Sequence, residues 1–364
     1  MPRLFAFLFF AAVASAAEPF PLWDGQETIA HYAARTNLPP TKTLDLGNGV
    51  TLDLVLIPAG KFIMGTPEPN PVDEPAFQKQ IRTGQIVFGI GAAILLLLIA
   101  AMLVRALRQR RRPQYSLALF LVMIVSAGVG LLGGMHWWHS ARVLAQAQTE
   151  YEAALAIYKN LDDYESPAHE VTLTTPYYIG KFEVTQAQYQ QVVGKNPSHF
   201  KGANLPVERV DWDDAHAFCR RVSEKTRSSV TLPTEAAWEH ACRAGTVTTY
   251  YLGDCESDLG RAAWSAANSK NTTHPTGQKF PNAWGVYDML GNVCEWCEDC
   301  FKEYKADAVL DPKGPREGPD RVLRGGAWNI RPEFCRPAYR FWIRPDTEND
   351  PIGFRVVVVV PGTP

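Results

Sequence analysis

Two runs of nineteen residues, Ile86–Val104 and Leu117–Met135, contain no charged side chain. An α-helix needs about 20 apolar residues to cross the hydrocarbon core of a bilayer, so each run reads as a membrane span. The segment between them carries Arg105, Arg108, Arg110, Arg111 and Arg112, and basic loops of this kind stay on the cytoplasmic side. Trp137 and Trp138 follow at the position of an interfacial aromatic belt. The bilayer is therefore the partner expected through residues 86–135. At the start of the chain, residues 1–17 read as an export signal: a brief basic start at Arg3, an apolar stretch and a small-residue cleavage site. Uncleaved, the same stretch would be an anchor. Either way the two signals agree on orientation and place the main domain outside the cytoplasm, on the periplasmic side, tethered to the membrane.

The spans split what remains. Residues 18–45 are an N-terminal lead, 46–66 begin a domain, 67–164 are an insertion, and 165–364 resume the domain. Within the insertion, Leu144, Ala147, Tyr151, Leu155 and Tyr158 recur at helical spacing and predict a stalk helix over 140–160. Outside it, Val50–Ile57 alternates as a strand. Thr185 is placed to cap a helix, and residues 213–225 and 233–244 read as two more, with Pro233 and Thr234 at the start of the last and Gly245 at its end. With 27 Gly, 27 Pro and ten Trp in 364 residues, the pattern is a loop-rich domain with aromatic packing. A net charge of −2 gives no footprint for a nucleic-acid partner.

Chemistry concentrates in Asn282–Trp296. Asp288 and Glu295 bracket Gly291-Asn292, a pair suited to a tight bend. Such a bend would bring the carbonyls of Gly291 and Val293 beside both carboxylates, the mixed oxygen set that calcium prefers. The alternative is a turn with exposed acids above a packed Trp. Seven cysteines add a second theme. Cys294, Cys297 and Cys300 have a spacing compatible with metal thiolates, although an oxidising compartment favours disulfides, and an odd count leaves one thiol over. Cys335 reads either as a nucleophile or metal ligand lowered in pKa by Arg336, or as a small buried hydrophobe or disulfide partner.

Together with Thr231–Glu239, Arg321–Trp328 and Gly353–Val356, the 282–296 stretch resembles the formylglycine-generating enzyme (sulfatase-modifying factor) family, over residues 49–360 and interrupted by the insertion. The resemblance implies an α+β, loop-rich fold related to C-type lectins, stabilised by calcium at Asp288, Gly291, Val293 and Glu295. A second calcium site would use Asn268, with Ser265 near a carbonyl position. It also implies a copper(I) pair of cysteines with a nearby serine, at positions that fall here on Ile330, Cys335 and Ala327. One of the three is present, and two thiolates are what copper(I) requires. Cys219 and Cys242 fall on family disulfide positions whose partners are Val356 and Arg340 here, leaving them to pair with each other or stay reduced. The scattered histidines form no iron triad, so the sequence assigns no transition metal. Two functions are expected to compete: a protein-modifying oxidoreductase with non-copper chemistry in which Cys335 is catalytic, and a noncatalytic module binding an exported peptide or glycan.

Overall fold

The computed structural model of the chain describes residues 20–67, 142, 163–315 and 317–360. The chain divides into two compact units, Met1–Pro67 with Asp163–Pro364, and Glu68–Asp162. The export signal (1–17), both apolar runs and the stalk (140–160) lie outside the described residues, Arg142 excepted. Among the described residues, no helix is long and apolar enough to cross a membrane.

Among the described residues, five α-helices and twelve strands build the larger unit. In chain order they are α1 (Ile29–Thr36), β1 (Thr41–Gly47), β2 (Val50–Ile57), β3 (Gly60–Met64), β4 (His169–Leu173), β5 (Tyr177–Gly180), α2 (Gln186–Val193) and α3 (Trp212–Thr226). There follow β6 (Val230–Thr231), α4 (Glu235–Arg243), α5 (Glu256–Ala262), β7 (Cys294–Cys300), β8 (Val309–Leu310), β9 (Arg321–Arg324), β10 (Arg340–Ile343), β11 (Ile352–Gly353) and β12 (Val357–Val359). The α+β, loop-rich architecture is the one expected.

The main sheet is antiparallel, in the order β1-β2-β5-β12-β6. Its β2 strand spans the residues whose alternation predicted it, and from Leu54 to Ile57 it is buried on both faces. Leu52, Leu54 and Leu56 enter one apolar core with Tyr189, Phe218, Trp296 and Phe354; Val55 and Ile57 enter a second with Trp238, Met289 and Leu290. This is the period-two division that a central strand imposes. The last strand divides likewise, with Val358 in the first core and Val357 in the second.

A smaller sheet, β3-β4-β8, receives the insertion. β3 and β4 pair antiparallel from Gly60↔Leu173 to Met64↔His169, so the chain departs and returns at neighbouring ends of one ladder. Where a hairpin would need only a short turn, added length costs little, because closure entropy grows slowly with loop length.

Caps fix the helices that carry the site. The Thr185 hydroxyl accepts from Gln188 N while the Gln188 side chain accepts from Thr185 N, a reciprocal capping box at α2. Thr234 caps α4 by accepting from Ala237 N. At the other end of α4, Ala244 (φ 47°) takes the left-handed position before Gly245 (φ 85°). A Cβ on Gly245 would lie 2.5 Å from the Trp23 ring, so glycine there makes room for the N-terminal segment as well as ending the helix.

Candidate calcium turn and the copper positions

The third sheet, β10-β9-β7-β11, supports the acidic turn. Ahead of β7 the chain makes its bend with left-handed backbone at Asp288 (φ 52°), Gly291 (φ 76°) and Asn292 (φ 57°). At Gly291 no other residue fits, because a Cβ would stand 2.2 Å from the Trp264 carbonyl oxygen. Asn292 then ties the turn to its surroundings. Its N–H donates to Trp264 O, its Oδ1 accepts from His274 N, and its Nδ2 donates to Glu183 Oε2 and to His274 O. Trp328 N completes the frame by donating to Asn292 O.

The acids are buried rather than exposed, which rejects the solvated-turn alternative. Glu295, the second residue of β7, accepts from Arg355 Nε and Nη2 at 2.6 Å each and from Trp238 Nε1 at 2.6 Å. Arg355 spends its remaining donors on the carbonyls of Gly180, Tyr287 and Asp288. Asp288 Oδ2 accepts from Gly277 N at 2.6 Å. Burial pushes the Asp288 carboxyl up to about 6. Glu183, which also accepts from Val293 N, is held well above the usual carboxylate range by burial and by the neighbouring Asp288 and Glu295 charges. Asp288 is faced by the Lys279 ammonium as well as by Arg355, so the three buried carboxyls have two cationic neighbours. Both Glu295 oxygens are already held, Oε2 by Trp238 and Arg355 and Oε1 by Arg355. No cluster of three or more His, Cys, Asp or Glu among the described residues forms a metal cage of side chains alone.

Sequence reasoning missed Glu183, Arg355 and Trp238. Glu183 stands in the short link between β5 and α2, and an acid between Phe182 and Val184 was the available signal. Asn268 was expected at a second calcium site, but it serves its own turn. Its Oδ1 accepts from Ser265 N, and its Nδ2 donates to Ala263 O and Gly260 O.

Comparison with known proteins places this arrangement. A model described as the sulfatase-modifying factor enzyme 1-like domain matches residues 141–360. The chain belongs to this family. Among curated members, the chaperone protein LppX of Paenibacillus barcinonensis is 34% identical over a 208-residue alignment that covers 43% of this chain and 71% of that protein. The formylglycine-generating enzyme of Streptomyces coelicolor is 36% identical over 197 residues, 50% of this chain and 60% of that protein. Among solved structures, Treponema denticola variable protein 1 superposes with a TM-score of 0.53 at 32% identity, covering 55% of this chain and 90% of its own.

Against the family's copper chemistry, the three positions do not fit. Ala327 is a buried methyl and Ile330 a hydrocarbon packed against both cores. Cys335 is fully buried, and burial pushes its thiol up to about 12, so the lowered pKa expected beside Arg336 is not found. Arg336 is instead committed to Glu165, with Nη1 to Oε2 at 2.8 Å and Nη2 to Oε1 at 2.9 Å. The geometry favours the packed-thiol alternative over a nucleophile.

The cysteine expectations also change. Cys294 and Cys297 lie on β7 and point into different cores, as three-residue spacing on a strand requires, so they neither pair nor share a metal. Cys219 and Cys242 are likewise divided between the two cores and do not pair with each other.

Farther along β7, Asp299 Oδ2 accepts from Glu235 N at the start of α4, at 2.7 Å. Burial, with the Glu235 charge adding to it, pushes this carboxyl up to about 7. The folded state then binds the Asp299 proton more tightly than the unfolded state. This contribution to stability is full below the unfolded value near 3.8 and is lost as pH rises towards 7. An Asn amide oxygen can accept the same Glu235 N–H without a charge, so Asp299→Asn should raise the denaturation midpoint at pH 8 and leave it unchanged near pH 4. Urea titrations at the two pH values measure the difference, and equal midpoints at pH 8 would contradict it.

Proposed function

We propose that this family member is a noncatalytic recognition module that binds an exported peptide or glycan, stabilised by calcium and held at the outer face of a membrane by residues 86–135. Ala327, Ile330 and the sealed Cys335 argue against copper-dependent oxidation. The oxidoreductase reading is therefore set second. That a relative named as a chaperone shares the domain is consistent with a role outside formylglycine chemistry.

The observation that carries recognition is the pair of partly exposed tryptophans whose backbones bond Asn292. Trp264 and Trp328, whose backbones bond Asn292 from either side, each keep a buried indole N–H without a partner among the described residues. The Thr273 hydroxyl, beside His274, is in the same state. The rings themselves are partly exposed and braced. Trp264 lies between His274, stacked at 3.7 Å, and the Lys279 ammonium at 3.8 Å, while Trp328 meets Phe200 edge to face. Donors beside rigid aromatic rings suit the carbonyls of a peptide or the hydroxyls of a sugar. Calcium would be held by Asp288 and Glu295 with the Gly291 and Val293 carbonyls, fixing the turn that presents this pair.

The test presents a glycan array and a displayed peptide library to the full-length chain, with calcium or with chelator. Calcium-dependent binding that Trp328→Phe weakens, by removing the N–H but keeping the ring, is the expected result. A Cys-x-Pro-x-Arg peptide supplied with copper(I) and oxygen should keep its mass. Conversion of that peptide to the aldehyde would overturn the noncatalytic reading.

A further inference from the structure

His240 is a buried titratable group that the candidate site does not use. It lies on α4, 2% exposed, among rings: Phe62 of β3 at 5.0 Å and Trp284 at 4.9 Å. Its Nδ1 has no hydrogen-bond partner among the described residues. Trp23, in the segment 20–28 that precedes α1, covers this box. A Cβ on Gly60 would lie 3.2 Å from His240 Nε2 and 3.8 Å from Trp23 Cβ, so the two side chains meet at this glycine. Trp23 also meets Trp284 edge to face at 5.3 Å and lies on Gly245. The segment itself is lightly held. Trp23 N donates to Ala59 O, the Tyr32 hydroxyl to Pro21 O and Arg35 Nη2 to Leu22 O, and the Trp23 ring is only half-buried.

The acids around the box are committed elsewhere. On α4, Glu239 accepts from Gly65 N, Arg243 and Arg324. Lys61 of β3 pairs with Glu170 on the exposed face. In the covering segment and α1, Asp24 accepts from Gln26 N and Glu27 N, and Glu27 pairs with His31 and Arg35. The loop that bears Trp284 carries no charge from Phe280 to Tyr287. Burial alone pushes the His240 imidazole down to about 3.

We propose that the segment 20–28 is an acid-released strap, held open by protonation of His240 once Trp23 lifts. An imidazolium needs water or an acceptor, and the box supplies neither while the strap is closed. Covered, His240 is held below its ordinary value; uncovered, it returns to about 6.5, so the open form binds the proton. Closure is therefore fully favoured above pH 6.5 and is lost progressively as pH falls below it. Release bares Trp284 and Gly245, so an aromatic surface hidden at neutral pH appears in acid.

Hydrogen exchange of the full-length chain, read by mass near pH 7.5 and near pH 5 and corrected for the chemical exchange rate, tests this. Opening of the peptide that contains Trp23 should rise about 30-fold at the lower pH, the ratio of imidazolium to imidazole for an uncovered histidine there. Peptides from β2, β5 and β12 should keep their protection. His240→Phe keeps a ring but takes no proton, so its strap should open equally at both pH values. His31→Gln should leave the response intact, which separates His240 from the histidine on α1. Trp23→Ala should show the open strap already near pH 7.5. Equal protection of the wild-type strap at the two pH values overturns the proposal, and so does a parallel loss of protection across the main sheet. A response that survives in His240→Phe does the same. Should that variant not fold, the wild-type comparison and Trp23→Ala decide.

Discussion

Replacing Arg355 with methionine should destabilise the domain by about 3–5 kcal/mol, the usual effect of stranding a buried charge by removing its partner. Domains of this size are stable by about 5–15 kcal/mol in total, so the loss is enough to unfold a sizeable fraction of molecules at 37 °C. The reason lies in what the guanidinium holds together. It neutralises Glu295 through two hydrogen bonds and gathers the carbonyl of Gly180, at the end of β5, with those of Tyr287 and Asp288 in the turn. Without it, Glu183 and Glu295 would lose that guanidinium, and Asp288 would keep only Lys279. Urea denaturation measures the effect. The double variant Arg355→Met with Glu295→Gln should recover part of the loss, because the stranded charge is then gone as well. A single variant within 1 kcal/mol of wild type would show that the cluster is not what holds the turn.

Chelation should produce the second large effect. If calcium joins the turn, a hundredfold excess over its dissociation constant adds about 2.7 kcal/mol, because only the folded chain binds it. For a unit of this size that corresponds to roughly 5–10 °C in melting temperature. Asp288→Asn should lower the calcium response, since a neutral amide replaces the carboxylate with least internal pairing. Glu295→Ala should lose both the response and much of the stability, because it also strands Arg355 and Trp238. Melting curves that coincide in millimolar calcium and in chelator would remove calcium from the account of this turn.

Much of this was open to a reader of the sequence, and the division has a physical basis. Local rules worked where the cause is local. The alternation of Val50–Ile57 marks β2, Thr185 and Thr234 mark their helices, and Gly291-Asn292 marks the bend. Charge pairing was not legible, because Glu183, Glu295 and Arg355 are brought together only by the packing of β5, β7 and the strand after β11. The cysteine spacing misled for a related reason. C-x₂-C suggests convergence in a loop, but on a strand it sends the first two thiols to opposite faces. Recognising Cys294–Cys300 as β7 would have settled the point. Cys335 followed the same logic: Arg336 is its neighbour in sequence, yet its guanidinium belongs to Glu165, 171 positions away.

The place of β12 in the main sheet bears on how the chain must be made. Val357–Val359 is the last of the described strands in sequence, yet it lies between β5 and β6, inside the sheet. During synthesis at about 5–20 residues per second, β5 would wait roughly 10–40 s for that partner. Until then β5 and β6 present bare backbone edges, and Val55 and Ile57 have only half a core to enter. Completion of the sheet is therefore a late event, set by delivery of the final strand to the same side of any membrane as the first. A nascent chain caught earlier would offer those edges to other chains, which makes this interval the one in which a chaperone has most to protect.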